Sequence, residues 1–554
     1  MTAAPTTTAT TAEMEATAAP PGTPLLEVTG LRTRIGGTDV VDGVDLAVRC
    51  GEVLGVVGES GSGKTLTALS IVGLLPRAAR VVGGSIVLAG RDLLALPERQ
   101  RRAVLADDVG VIFQNPTAAL NPRLTVGAQL REALPRELGR NRVAARRRAL
   151  ELLDQVGVAR AAERLAAYPH ELSGGLNQRV MIAIAIARSP RLLVADEPTT
   201  ALDVSVQAQV LDLVDVLRAE LGLGVLLVTH DIGVVADRAD RVAVMSAGRV
   251  VEQGPAADVL ERPAHERTRT LLTLVPRLDD PAPPPVPAEG RPLLEVRDLH
   301  RMFPGTGGAV PVRAVDGVDL VLHRGQALGL VGGSGSGKTT LARLVVGLDR
   351  PTSGAIRHDG VDPAALRGPE RRRWRRRVQY VFQDPYGSLD PRMTVGQIVA
   401  QPLVHSGTPA ERAGAEARVA ELLTEVDLPP SFAQRRPVQL SGGQRQRVAI
   451  ARALALDPAL VVADEPVSAL DLSVQATILG LLERLRETRG LTYLVISHDL
   501  AVVKGLCTEV AVMQDGRIVE RGPTEQVLDE PRHPYTVSLL AAVPGKGLGR
   551  RVGA

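Results

Sequence analysis

A glycine-rich octapeptide ending in Lys-Thr occurs twice and constrains the chain more than any other feature. It reads GESGSGKT at 58–65 and GGSGSGKT at 332–339. In the first copy the loop follows a short apolar run, VLGVVG (53–58), and precedes helix-like LTALSIVGLL. G-x-x-x-x-G-K-[ST] between a strand and a helix is a phosphate-binding loop. Its glycines let backbone N–H groups close around phosphate oxygens, and the helix N-terminus adds its dipole. Gly58, Ser60, Gly61 and Gly63 build the first loop; Gly332, Ser334, Gly335 and Gly337 build the second. Lys64 and Lys338 are expected on the β- and γ-phosphates of a nucleotide, Thr65 and Thr339 on Mg²⁺. A single match is also compatible with a tight glycine turn; two matches in matching contexts favour the phosphate reading.

Lysine usage points the same way. The chain has 65 basic residues, and only four are lysine: Lys64, Lys338, Lys504 and Lys546. Arginine does not replace a compact ammonium at a phosphate cradle, so two of four lysines in these loops marks a functional constraint.

The loops belong to a larger duplication. LLEV, VDGVDL, SGSGKT, LSGG and ADEP each occur twice in the same order, and each ADEP is followed by ALD. Ser173 and Ser441, Asp196 and Asp464, and His230 and His498 are each 268 residues apart, whereas Lys64 and Lys338 are 274 apart. The difference places a short insertion in the second copy, within MFPGTGGAVPVRA. A period near 270 is too long for a solenoid and reads as a duplicated domain. The expected organisation is a disordered Thr/Ala/Pro tail (1–24), a first domain (25–275), a linker (276–292), a second domain (293–540) and a short tail (541–554). The linker, PRLDDPAPPPVPAEGRP, is too proline-dense for a helix or central strand and is expected to be extended and semi-rigid.

Within each copy, apolar runs such as LLVADE (192–197) and GVLLVTH (224–230) alternate with helical patterns. Such strands, apolar throughout, fit a parallel sheet buried on both faces, hence an α/β fold. Net charge is +3. The longest apolar run, Val180–Ala187, is far short of the roughly 20 residues of a membrane span. Two distant cysteines, Cys50 and Cys507, exclude a disulfide scaffold or a four-cysteine metal site within the chain. A cytosolic, multidomain protein is the expectation.

Three further motifs carry chemistry. Asp196-Glu197 and Asp464-Glu465 end apolar strands; successive residues on a strand face opposite sides, so the aspartate can serve Mg²⁺ and the glutamate an attacking water. His230 and His498 each lie 34 residues beyond the aspartate, at another strand end, within reach of a γ-phosphate. LSGGLNQ (172–178) and LSGGQRQ (440–446) open helices, with Ser173 and Ser441 suited to the N-cap; Gly174, Gly175, Gly442 and Gly443 allow close approach of another backbone.

This order of motifs, with Gln114 or Gln383 between the phosphate loop and LSGG, resembles the ABC-type ATPases over residues 25–540, twice. The resemblance implies a P-loop NTPase fold, each copy with a RecA-like core and a helical subdomain. It implies two ATP sites in an intramolecular head-to-tail sandwich, each pairing the phosphate loop of one copy with the LSGG of the other. One site would combine Lys64, Gln114, Asp196, Glu197 and His230 with Ser441 and Gly443. The other would combine Lys338, Gln383, Asp464, Glu465 and His498 with Ser173 and Gly175. In the family the glutamate is the general base, and the glutamine contacts Mg²⁺ and the membrane subunit. An aromatic stacks the adenine: Phe303 in the second copy, replaced by Ile35 in the first, where the planar Arg34 guanidinium is the substitute on offer. Unequal nucleotide affinities are the expectation.

VIFQNPTAALNPRLTV (111–126), VFQDPYGSLDPRMTV (381–395) and the ending VERGPTEQVLDEPRHPYTVSLL (519–540) look like the ATPase subunits of oligopeptide and dipeptide importers, a group that includes nickel and glutathione importers. The first copy departs with HERT (265–268) where the second has HPYT (533–536). The implied partners are two integral membrane permease subunits and a substrate-binding protein, at the cytoplasmic face of the membrane. The alternative is a soluble, ribosome-associated tandem ABC ATPase, whose linker would be long, charged and helical. The run RRRWRRR (371–377) reads as a solvated helix face or a contact with headgroups or permease. The near-zero net charge argues against nucleic acid.

Overall fold

The computed structural model describes residues 24–199, 202–287, 290–305, 311–468 and 470–546. The tail expected at 1–24 lies outside them apart from Pro24, as do 306–310 and 547–554.

The apolar runs are strands buried at every position: Val53–Gly58, Leu192–Asp196 and Gly224–Val228. They sit side by side in a six-stranded sheet ordered Arg249–Pro255, Arg241–Ser246, Val53–Gly58, Gly224–Val228, Leu192–Asp196, Val109–Ile112. All neighbours are parallel except the pair formed by Arg249–Pro255. The second copy repeats the order with Arg517–Pro523, Glu509–Gln514, Ala327–Val331, Thr492–Ile496, Leu460–Asp464 and Val378–Val381. Phosphate loop, acidic pair and histidine therefore leave the carboxyl ends of three adjacent strands, where open α/β sheets bind ligands.

A smaller antiparallel sheet covers each core. In the first copy Leu26–Ile35 lies between Thr38–Val48 and Ala79–Leu88; in the second, Leu294–Phe303 lies between Val312–Leu322 and Ser353–His358. The first hairpin turns through Gly36-Gly37 alone, whereas the second runs from Phe303 to Val312. The insertion expected from the change in offset falls in that connection.

A helical layer is inserted between Val109–Ile112 and Leu192–Asp196. Val126–Ala133, Arg142–Gln155 and Gly174–Ala185 meet through Leu130, Leu152, Leu153, Val180 and Ile182, all essentially inaccessible. Val395–Ser406, Ala415–Glu425 and Gly442–Leu454 do the same in the second copy through Ile398, Leu422 and Val448. The fold is thus the tandem α/β P-loop arrangement read from the sequence, each copy with a parallel core and a helical subdomain.

Among the described residues, no helix or strand forms between Thr273 and Leu294. The proline-rich segment is nonetheless docked. Leu278 packs against the second copy's core, and Gln326 Nε2 donates to the Val286 carbonyl at 3.3 Å. At the other end of the chain, the Gly545 N–H donates to Asp237 Oδ2 of the first copy at 2.8 Å. No helix among the described residues is long and apolar enough to cross a membrane.

Candidate functional site

Gly63 and Gly337 cap the phosphate-loop helices Lys64–Ile71 and Lys338–Val345 with left-handed backbone, φ 98° and 103°. A Cβ on Gly58 or Gly332 would lie 2.2 or 2.1 Å from the carbonyl oxygen of Met245 or Met513, so no other residue fits there. Each loop curls around its own ammonium. Lys64 Nζ donates to the carbonyls of Gly58 (2.7 Å) and Glu59 (2.9 Å), and Lys338 Nζ to those of Gly332 and Gly333, both at 2.8 Å. Burial pulls both lysine pKa values down, against the charges of Glu197, Asp196 and Asp471 on Lys64 and of Glu465, Asp203 and Asp464 on Lys338.

Asp196 ends its strand, and Thr65 Oγ1 donates to its Oδ1 at 3.3 Å. Glu197 lies one residue past the strand, at φ 48°, and Glu465 repeats the value. Strand alternation therefore does not aim the glutamates. A left-handed kink does, a conformation costing on the order of 1–3 kcal/mol for a non-glycine residue and held only where surroundings impose it. The kink delivers Glu197 to two partners: Gln114 Nε2 donates to Oε2 at 2.6 Å, and His230 Nδ1 lies 3.0 Å from Oε1. Glu465 has the same pair, Gln383 at 2.6 Å and His498 at 3.0 Å. The glutamines thus contact the glutamates.

These contacts set the charges. Burial alone would lower the His230 and His498 pKa values, but the hydrogen bond and charge of the adjacent glutamate outweigh it and raise both. Burial likewise acts to raise Glu465, and His498, Lys338 and Gln383 together hold it below the usual carboxylate range. Asp196 is pushed up to about 6 by burial and then by Glu197, against Thr65 and Lys64.

The copies differ beside the aspartate. Tyr380 Oη donates to Asp464 Oδ2 at 2.5 Å, whereas the matching residue in the first copy is Val111. Burial raises the Asp464 pKa, opposed by Tyr380 and Thr339. Phe303 ends its strand about one-third exposed, with the Arg301 guanidinium 4.6 Å from its ring centroid. Arg34 is engaged by Asp39 at 2.5 Å, which leaves it less able to replace a stacking ring beside Ile35.

Ser173 and Ser441 are the N-caps of Gly174–Ala185 and Gly442–Leu454. Ser441 forms a reciprocal capping box with Gln444; in the first copy Leu176 takes that place. The last glycine of each motif is tight against its own copy. A Cβ on Gly175 would meet Val206 Cγ1 at 2.7 Å, and one on Gly443 would meet Val474 Cγ1 at 2.2 Å. What these glycines admit is a neighbouring side chain, where backbone approach was expected.

The two copies touch at this end of the sheets. Asp203 caps the helix Val204–Leu221, and its Oδ2 accepts the Ser334 N–H of the second phosphate loop at 3.1 Å. Reciprocally, the charge of Asp471 acts on Lys64. A cleft of about 1550 Å³ between the copies is lined by Ser334–Thr339 in part, Gln383, Glu465, His498 and Ser441–Gly443, with Ser60 and His230 of the first copy. Ser173–Gly175 do not line it. Sequence reasoning missed Asp203, Asp471 and Tyr380; the repeated ALD was the available signal for the first two.

The donor set fits a nucleotide-bound Mg²⁺. Threonine hydroxyls and buried carboxylates are the hard oxygen ligands that Mg²⁺ takes, usually one or two per protein, with phosphate oxygens completing the shell. Among the described residues no group of three or more His, Cys, Asp or Glu could hold a metal unaided.

Fold and site define a P-loop nucleotide hydrolase of two fused units. The ABC transporter family matches residues 41–200 and 315–468, and the oligopeptide/dipeptide transporter C-terminal region matches 251–303 and 519–551. The oligopeptide transport ATP-binding protein OppD of Mycobacterium tuberculosis is 44% identical over 95% of this chain and all of its own length. The peptidoglycan transport ATP-binding protein YejF of Agrobacterium fabrum is 47% identical over 94% of this chain and 96% of its own. The glutathione import ATP-binding protein GsiA of Salmonella typhimurium is 44% identical over 91% and 86%. The chain belongs to the ABC transporter family, as an ATP-hydrolysing member.

Proposed function

We propose that the chain is the energy-coupling ATPase of an importer for di- or oligopeptides, bound peripherally at the cytoplasmic face of the membrane. Its partners are two integral membrane permease subunits and a substrate-binding protein. The observation that carries the catalytic part is the Gln–Glu–His cluster beside each phosphate loop, built alike in both copies. Support for peptide import comes from the C-terminal region matched in both copies and from relatives aligned over nearly their whole length.

The two copies act as a head-to-tail sandwich, a reading favoured by the Asp203–Ser334 contact and by the shared cleft. The loops 58–65 and 332–339 bind the phosphates, with Lys64 and Lys338 as charge partners. Phe303 stacks the adenine in the second site; the first, with Ile35, binds more weakly. Asp196 with Thr65 and Gln114, and Asp464 with Thr339 and Gln383, would hold Mg²⁺. The bound metal supplies charge compensation on the phosphate oxygens. Glu197 and Glu465 take the proton from the attacking water, and His230 and His498 orient them and face the γ-phosphate. Ser173–Gly175 and Ser441–Gly443 close over the nucleotide of the opposite copy. Catalysis is positioning and electrostatic stabilisation of an in-line attack. ATP closes the sandwich and hydrolysis reopens it, which drives the permease.

The test is the double variant Glu197→Gln/Glu465→Gln, tagged in native cells and purified from detergent-solubilised membranes with Mg-ATP. Turnover is expected to vanish while ATP stays bound, and two polytopic membrane proteins are expected to co-purify. Near-normal hydrolysis would overturn the base assignment. Recovery of ribosomal proteins in their place would overturn the importer and favour a translation-linked ATPase.

A further inference from the structure

The ending HPYT is accounted for neither by the nucleotide site nor by the sheet. Its histidine caps the helix Pro534–Ala541, and its threonine is buried. Tyr535 reaches out of that helix toward the phosphate loop. Its hydroxyl oxygen accepts the Gly333 N–H at 2.8 Å, across 202 residues of sequence, while its ring packs on the second copy's core. The fit is close: a Cβ on Gly333 would lie 3.1 Å from the tyrosine oxygen, which would have to give by a few tenths of an ångström. The N–H it gives up precedes the helix that begins at Lys338, so the bond holds the loop without using the donors of the helix N-terminus.

The first copy serves as an internal control. The positions of Gly333 and Tyr535 hold Glu59 and Arg267 there, and both are exposed. Both positions thus differ between the two copies. The same C-terminal segment continues past its helix to the first copy, where the Gly545 N–H meets Asp237 on the helix Ile232–Arg238 that follows His230.

We propose that Tyr535 is a positioning residue for the second nucleotide site, through which the C-terminal region fixes the phosphate loop in its binding shape. The proposal rests on the second loop binding ATP. Without the hydroxyl the loop loses an anchor, and binding must order it. The expected cost is one neutral hydrogen bond, about two- to tenfold in affinity.

The test uses the full chain in a Lys64→Ala background, so that Mg-ATP titration calorimetry reports the second site. Tyr535→Phe keeps the ring in the core and removes only the hydroxyl. It is expected to weaken the ATP Kd about two- to tenfold, with the nucleotide-free melting temperature unchanged. In the chain with Lys64 intact it is expected to raise KM for ATP with little change in kcat. An unchanged Kd in Tyr535→Phe, while Lys338→Ala abolishes binding, overturns the role of Tyr535. Binding that survives Lys338→Ala overturns the nucleotide reading of the loop, and the proposal with it.

Discussion

Gly443 and Gly442 are neighbours in one motif, yet substitution by alanine is expected to act on them in opposite ways. A Cβ on Gly442 meets only Leu470 Cδ2, the end of a flexible side chain, at 3.4 Å. One on Gly443 would sit 2.2 Å from Val474 Cγ1, where carbon atoms normally rest about 3.5–4.0 Å apart. Val474 lies in the helix Leu472–Arg489. A β-branched residue in a helix keeps essentially one rotamer, so it cannot swing aside cheaply. The helices must part by more than an ångström, an overpacking cost of about 1–3 kcal/mol. Better helix propensity returns at most about 1 kcal/mol. Gly443→Ala should therefore destabilise the second copy by about 1–2 kcal/mol, whereas Gly442→Ala should be neutral or slightly stabilising. Removing the obstacle should repair the damage: Gly443→Ala/Val474→Ala should be more stable than the sum of its single variants by at least about 1 kcal/mol. Trp374, the only tryptophan, is buried in the second copy and reports its urea unfolding by fluorescence. Steady-state ATPase in the same variants reports the displacement of Ser441, with turnover lost in the single variant and recovered in the double. Additive free energies in this cycle would show that Val474 is not what makes Gly443 a glycine.

Two further outcomes follow from other contacts. Asp203→Asn should keep the helix cap, since asparagine caps as well as aspartate, but it sets an amide N–H against the Ser334 N–H. Its melting temperature should match the parent while ATPase turnover falls; parental turnover would show that this contact between copies does not matter to catalysis. His358 is buried under Trp374, with Nε2 donating to the Val345 carbonyl at 3.0 Å at the end of the phosphate-loop helix. Burial lowers its pKa from 6.5 to about 4, so the unfolded chain binds the proton first and stability falls as pH drops from 6.5 toward 4. The second copy should lose about 2 kcal/mol between pH 7 and pH 5 relative to His358→Gln, read by Trp374 fluorescence in urea. Parallel pH profiles for the two proteins would contradict this.

What the sequence disclosed and what it withheld divide along physical lines. The phosphate loops, the acidic pairs and the histidines were legible because each is a local motif attached to a strand apolar on both faces, and adjacent parallel strands bring their ends together without further information. Side-chain direction was less legible. Alternation along a strand was the ground for setting Glu197 and Glu465 apart from the aspartates, but both lie past the strand and owe their aim to a left-handed φ that no residue pattern announced. The LSGG glycines were expected to admit a backbone, and the last of each admits a valine of its own copy. Contacts made across the fold had no local signal at all. Tyr380 meets Asp464 across 84 residues, Asp203 meets Ser334 across 131, and Tyr535 meets Gly333 across 202. The duplication partly compensates. Because both copies share one sheet order, a difference between them isolates what one site has and the other lacks. Val111 opposite Tyr380, Ile35 opposite Phe303, and Glu59 with Arg267 opposite Gly333 with Tyr535 all place the extra anchor in the second copy. If those anchors act, the two sites are unequal in affinity although their Gln–Glu–His clusters match to 0.1 Å or better. The first site would then be filled later at a given ATP concentration, and the second would be the one whose occupancy sets when the sandwich begins to close.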